Sequence, residues 1–214
     1  MKLLIGIPSL DFIHAEFVKS LTALIMRLKD ENVAFDVQIE TGTLVYAARD
    51  KIACKAINEG YTHVLWFDAD MVFTDDVLDS LMFSGKQFVC GIFHSRRKGY
   101  HSCLFKNLEL NHLERFEEYP TGVFEIAGCG FGCVLVDVQI LKEVQMQNGT
   151  CFLPMKSYGE DLAFCKRVAN LGHKMYADSS VRVGHVGHIT IYPEDHERWK
   201  ADIGEVSISG RRET

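Results

Sequence analysis

The stretch His63-Val-Leu-Trp-Phe-Asp-Ala-Asp-Met71 decides how this chain folds, because an apolar run there stops abruptly on two carboxylates. His63 to Phe67 is short, rich in branched and aromatic residues, and bounded by residues that favour turns, so it reads as a strand. Upstream, Lys2 to Pro8 is a first strand and Phe35 to Ile39 a second. Between those two, Phe17, Leu21, Leu24, Ile25 and Leu28 recur at helical spacing. Thr43 to Asn58 then forms a second helix with Ala48, Ile52 and Ala56 on its inner face. Gly60 stands where a helix C-terminal glycine is expected. Strands alternating with helices predict an α/β fold with a mostly parallel central sheet covered by helices on both faces. In such sheets ligands collect at the carboxyl ends of the strands, which is where Asp68 and Asp70 fall.

Downstream of that stretch, Thr74-Asp-Asp76 begins a short helix with acids in its first turn, and Gln87 to Phe93 has the character of a strand. Residues 94–120 are polar, charged and broken, which predicts loops with room for edge strands. Gly122 to Val136 alternates small and apolar residues around Gly128-Cys-Gly-Phe-Gly132. Ser157 to Leu171 is the clearest helix: Ser157 and Glu160 have capping-box spacing, Leu162, Cys165 and Ala169 share a face, and Gly172 follows the end. His173 to Ala177 is the last strand and leads into Val181-Arg-Val-Gly-His-Val-Gly-His188. No repeat or linker divides the chain, so one domain over 1–214 is expected, with the polar tail after Trp199 poorly ordered.

A chain of 214 residues, 47% hydrophobic and 24% charged, can enclose one sizeable core. Its 23 basic residues are outnumbered by 29 acidic ones and lie scattered, which argues against nucleic acid as a partner. No 18-residue apolar run could span a bilayer, and Met1 to Pro8 is too short to be a signal segment. The seven cysteines are an odd number without a CxxC pair, as in the reduced thiols of a cytoplasmic protein.

Asp68 and Asp70, two residues apart at a strand end, would repel one another unless a cation or donor lay between them. Carboxylates suit Mg²⁺ or Mn²⁺, which are usually completed by substrate phosphates, although an Asp-x-Asp can equally be a solvated turn or helix cap. His185 and His188 sit in a Gly-rich segment, and an imidazole beside carboxylates would favour Mn²⁺; exposed loop histidines are the alternative. Asp161 begins a helix without the capping explanation that covers Glu160. The helix dipole is expected to keep it ionised, and as a carboxylate it could accept a proton from a hydroxyl. Arg49, a cation on a small apolar helix face, offers a fork to a diphosphate or a base edge, or else an ion pair with Asp50 or Asp68. Gly128, Gly130 and Gly132 permit close backbone approach to a ligand, but their spacing and context are not those of a dinucleotide fingerprint.

Taken in order, these motifs resemble those of GT-A glycosyltransferases related to glycosyltransferase family 2. Ile7-Pro-Ser9 resembles the loop after strand one, Ala48-Arg-Asp50 an Ala-Arg-Asn-like helix, and Phe67-Asp-Ala-Asp70 the Asp-x-Asp motif. Gly128-Cys-Gly130 is similar to an acceptor-side glycine segment, Gly159-Glu-Asp161 to a Glu-Asp helix, and Val183-Gly-His-Val-Gly187 to a His-containing closing motif. The resemblance covers residues 1 to about 190. It implies transfer of a sugar from a UDP- or GDP-linked donor to an acceptor hydroxyl, with Asp70 and His185 as ligands of Mn²⁺ or Mg²⁺. Asp68 would bind the ribose or the cation's water, and Asp161 would act as the base. Pro8 and Arg49 would line the nucleotide pocket, and Gly128, Gly130 and Glu160 would lie beside the substrates. The acceptor is unspecified, and a partner protein or second copy could help supply its site. A silent nucleotide- or carbohydrate-binding module is the competing expectation. A nucleotidyltransferase is another, although Leu10-Asp-Phe-Ile-His14 lacks the basic phosphate loop that one would need.

Overall fold

A computed structural model describes residues 1–96, 99–109 and 112–187. His188 and the tail after Trp199 lie outside the described residues. The elements in the first half are β1 (Lys2–Pro8), α1 (Ala15–Asp30), β2 (Ala34–Glu40), α2 (Val45–Asn58), β3 (His63–Phe67), β4 (Met71–Val72), α3 (Val77–Phe83) and β5 (Phe88–Ile92). In the second half come β6 (Leu104–Glu109), β7 (His112–Arg115), β8 (Val123–Ile126), β9 (Gly128–Cys129), β10 (Cys133–Asp137), α4 (Val138–Asn148), α5 (Glu160–Asn170), β11 (Met175–Arg182) and β12 (Gly184–His185).

Among the described residues the central sheet has seven strands in the order β2-β1-β3-β10-β5-β11-β8. β2, β1, β3, β5 and β11 run in one direction, while β10 and β8 run against them. The expected mostly parallel α/β sheet is therefore what forms. Alternation along each strand divides the core into two layers. Leu4, Val64, Trp66, Phe88 and Cys90 face one layer, which includes buried residues of α2, α4 and α5. Leu3, Ile5, Leu65, Phe67 and Val89 face the other, with buried residues of α1 and α3. Trp66 makes edge contacts with Phe131 and Phe152 at centroid distances of 6.0 and 5.2 Å, and Phe152 stacks on Phe164 at 4.6 Å. These rings tie β3 to α5 and make a dense floor beneath the carboxyl end of the sheet.

Two local expectations are corrected and a third is made specific. The apolar alternation ending at Val136 is followed by a helix, α4, that the expected elements do not include, although its buried Val138, Leu141 and Val144 recur at helical spacing. Its signals are Asp137, whose side chain accepts the Gln139 amide at 2.8 Å, and Gly149 at φ +74° just past its end. The segment expected to be loops with edge strands holds the hairpin β6–β7, which pairs through β6 with β9. The last strand runs on to Arg182 because it pairs with both β5 and β8. No helix among the described residues is long and apolar enough to cross a membrane, and all seven cysteines are free thiols.

Candidate functional site

Beyond Phe67 the chain turns sharply: the Asp68 amide donates to the Gly132 carbonyl at 3.4 Å, and the Met71 amide donates back to the Asp68 carbonyl at 3.3 Å. The turn presents Asp68 and Asp70 to one cleft of about 510 Å³, bordered also by Pro8, Arg49, Glu160 and His185. Arg49 reaches it from α2 with its side chain only 3% exposed. Its Nη2 donates to Asp68 Oδ1 at 2.7 Å, its Nε stands 3.7 Å from Glu160 Oε1, and its plane lies over the Phe131 ring at 5.1 Å. A buried guanidinium is tolerated only when paired, and here two carboxylates and an aromatic face supply the pairing. Of the roles open to Arg49, the ion pair with Asp68 is therefore the one seen. Asp50 points elsewhere, accepting from Thr150 Oγ1 at 2.5 Å and from the amides of Cys151 and Phe152 at 2.9 and 2.8 Å. Arg167 donates to the Cys151 and Leu153 carbonyls at 3.0 and 2.6 Å, so the segment leading into α5 is clamped from two helices.

That clamp bears on one further correction. Ser157 and Glu160 do not form a capping box: the helix N-cap is Gly159, with no side-chain bond, and Ser157 lies in a turn between the bridged residues Met155 and Tyr158. As the first helical residue, Glu160 is in the wrong place to reach back. It turns towards Arg49 instead, where a buried positive charge needs it.

His185 reaches Asp70 through a short antiparallel ladder, in which β12 pairs with β4 so that His185 lies opposite Met71. The Val186 amide donates to the Asp70 carbonyl at 2.8 Å, and His185 Nε2 stands 3.3 Å from Asp70 Oδ2. On its other side His185 Nδ1 is 2.9 Å from the His94 carbonyl, which accepts only, so Nδ1 carries the hydrogen. In the neutral ring Nε2 then faces a carboxylate with a lone pair, an arrangement that requires a proton or a cation between them. The Asp70 hydrogen bond holds the imidazole above its ordinary pKa, and partial burial opposes it. Partial burial pushes Asp70 up, but the bond and charge of His185, with Arg96 and His14, bring it below the usual carboxylate range. A backbone carbonyl that fixes Nδ1–H leaves Nε2 as the nitrogen that could accept either a proton or a cation beside Asp70. Two side chains plus phosphate oxygens and waters suit Mn²⁺ or Mg²⁺; among the described residues no group of three or more His, Cys, Asp or Glu gathers to hold a metal.

Asp161 follows Glu160 at the start of α5 but is not itself among the residues bordering this cleft, and its Oδ1 accepts the Leu162 amide at 2.7 Å. Asp161 stays mainly ionised near neutrality, but the expectation that its pKa is not raised is corrected. Burial first, and then the charge of Glu160, push it up to about 6, against the opposing Leu162 amide and Arg49. Removal from water costs the carboxylate more than one helix terminus returns.

Gly128 and Gly130 do not border the Asp68–Asp70 cleft. A Cβ on Gly128 would meet Leu108 Cδ1 at 2.7 Å, and one on Gly130 would meet Phe93 Cζ at 3.0 Å, so packing of β9 explains both glycines. Arg96, His94 and His14 were not singled out by spacing, yet Arg96 pairs with Asp70, His94 orients His185, and His14 borders the cleft. Arg96-Arg-Lys98, a run of three basic residues, was the available signal for the first.

No protein-family model matches the chain, and no curated protein matches it. Solved structures do. A197 from STIV superposes with a TM-score of 0.61 at 20% identity, over 88% of this chain and 87% of that one. The fold is GT-A-like. GalNAc-T7 with UDP, GalNAc and Mn²⁺ gives 0.61 at 10% identity over 88% of this chain and 43% of that one. The catalytic domain of Drosophila beta1,4galactosyltransferase 7, in complex with xylobiose, gives 0.55 at 12% over 91% and 78%. At these identities the shared property is the architecture, so what the cleft does must be argued from its own residues.

Proposed function

We propose that the chain is a metal-dependent glycosyltransferase that moves a sugar from a UDP- or GDP-linked donor to an acceptor hydroxyl. The observation that carries this is the meeting, at the carboxyl end of β3, of Asp70 with an imidazole already oriented by the His94 carbonyl. The motif resemblance to family 2 enzymes and the Mn²⁺ and UDP of the GalNAc-T7 structure support the same reading. Asp70 and His185 would hold the ion, with Asp68 kept in place by Arg49 and Glu160 to meet the ribose or a bound water. When bound, a divalent ion neutralises the charge that appears as the nucleoside diphosphate leaves. Pro8 borders the cleft and would face the nucleotide. In an inverting reaction Asp161 would take the proton of the acceptor hydroxyl as its oxygen attacks the anomeric carbon from the face opposite the diphosphate.

Incubation with UDP- and GDP-sugars and Mn²⁺, reading released nucleoside diphosphate and the anomeric configuration of the product, tests this function. A folded protein that releases none, with or without candidate acceptors, overturns it in favour of a silent binding module. A retained configuration would remove Asp161 from the role of base.

His185→Ala should weaken Mn²⁺ binding by roughly 10- to 100-fold, the scale for ligands and their supports, while the melting temperature stays near wild type. Because Nε2 must shed its proton to bind a cation, wild-type Mn²⁺ affinity should rise as pH increases through the raised His185 pKa. The alanine variant should lose that dependence. A metal titration at several pH values decides it; identical curves for the two proteins would remove His185 from the shell.

A further inference from the structure

Arg96 and His185 converge on one atom. The Arg96 guanidinium pairs through Nη1 with Asp70 Oδ2, and His185 Nε2 stands 3.3 Å from the same oxygen. A cation bound by Asp70 and His185 would take the space between Oδ2 and Nε2, which the guanidinium now borders. Two positive centres cannot share that position at low cost, because a divalent ion repels an adjacent guanidinium.

Arg96 is also suited to move. It lies on the loop after β5, its side chain is 47% exposed, and its second contact is a long 3.5 Å approach to the Val186 carbonyl. Arg49, by contrast, is buried and held by two carboxylates. Among the described residues the cleft is bordered by four carboxylates, Asp11, Asp68, Asp70 and Glu160, against these two guanidiniums and the imidazoles of His14 and His185. Without an added cation it is a poor place for a diphosphate.

Building on the function proposed above, we infer that Arg96 is an exchangeable cation. It neutralises Asp70 while the metal is absent, and on metal binding it leaves Asp70 to bind the donor's diphosphate. The same side chain would then oppose the free ion and favour the ion–nucleotide complex, so that cation and donor bind together. A planar guanidinium fits this second role because its donors match two phosphate oxygens at once.

The test is a pair of titrations on the full chain with opposite expected signs. Arg96→Ala should bind Mn²⁺ alone more tightly than wild type, by roughly five- to tenfold, because a competing charge is gone. With Mn²⁺ saturating, the same variant should bind UDP or GDP roughly 10- to 100-fold more weakly, the worth of charge-assisted hydrogen bonds. Arg96→Lys should fall between the two proteins in both titrations. An ordinary surface ion pair would move neither, and either measurement unchanged or reversed overturns the exchange. Asp70→Ala is the control that separates the two proposals. If wild type binds no Mn²⁺, and Asp70→Ala and Arg96→Ala bind none either, the cation site itself is wrong. If Mn²⁺ binding depends on Asp70 but not on Arg96, only the exchange fails.

Discussion

Asp161→Asn should lower sugar transfer by roughly 10²- to 10⁴-fold, the usual worth of a positioned general base, while leaving Mn²⁺ and nucleotide binding near wild type. Asn keeps the size and can still accept the Leu162 amide through its oxygen, so α5 should begin as before. What is lost is the capacity to take a proton, an interaction realised in the transition state, and the loss should fall on kcat more than on the donor KM. With the carboxyl pushed up to about 6, wild-type transfer should decline as pH falls below that value, because the protonated acid is no longer a base. The same shift has a consequence for stability. Well above pH 6 the group is ionised in both the folded and the unfolded chain, and the folded state bears the full cost of desolvating it. That cost shrinks as pH falls between about 6 and 3.8, where the folded protein takes up the proton first, and it vanishes below. Asp161→Asn should therefore be more stable than wild type at pH 7.5, by about 2 kcal/mol when a partly exposed group is discounted from full conversion, and about equal at pH 3.5. Denaturant unfolding at the two pH values and transfer kinetics across pH 5–8 provide the measurements. A variant that is no more stable at pH 7.5, or that transfers normally, would reduce Asp161 to a helix-start acid.

The second large effect is expected at the cation. Nucleoside diphosphate binding should require Mn²⁺ or Mg²⁺ and should fall below detection in Asp70→Ala. The diphosphate would then face Asp11, Asp68 and Glu160 with no ion to bridge them. The fold should tolerate the change, since what holds this turn is its backbone, through the Asp68 and Val186 amides. Calorimetry of UDP and GDP, with and without chelator, on both proteins checks this. Equal affinity in all four conditions would remove the metal from the site.

Much of the fold was legible because hydrophobic burial leaves a period in the sequence. Strands β1 and β3 and helices α1, α2 and α5 appear within a few residues of the expected bounds. Elements whose partners are distant left weaker traces. α4 is short, with Val138, Leu141 and Val144 as its inner face between Asp137 and Gly149, and β7 is exposed throughout, so it carries no apolar alternation. The capping box failed for a related reason: a local pattern at Ser157 and Glu160 lost to a buried guanidinium from another helix.

For the site, the sequence by itself determined which groups would stand at the end of β3, since the apolar run His63 to Phe67 must be a strand and Asp68 and Asp70 must follow it. It also marked His185 and Asp161 as chemical groups without a plain packing role. Tertiary structure alone decided who meets whom. The β4–β12 ladder brings His185 to Asp70, Arg49 takes Asp68 rather than Asp50, and Arg96 settles on Asp70. The environment of Asp161 was also decided there, because a pKa depends on the density of protein around a carboxyl and on the charges packed near it. Neither of these is a property of the residues adjacent in the chain.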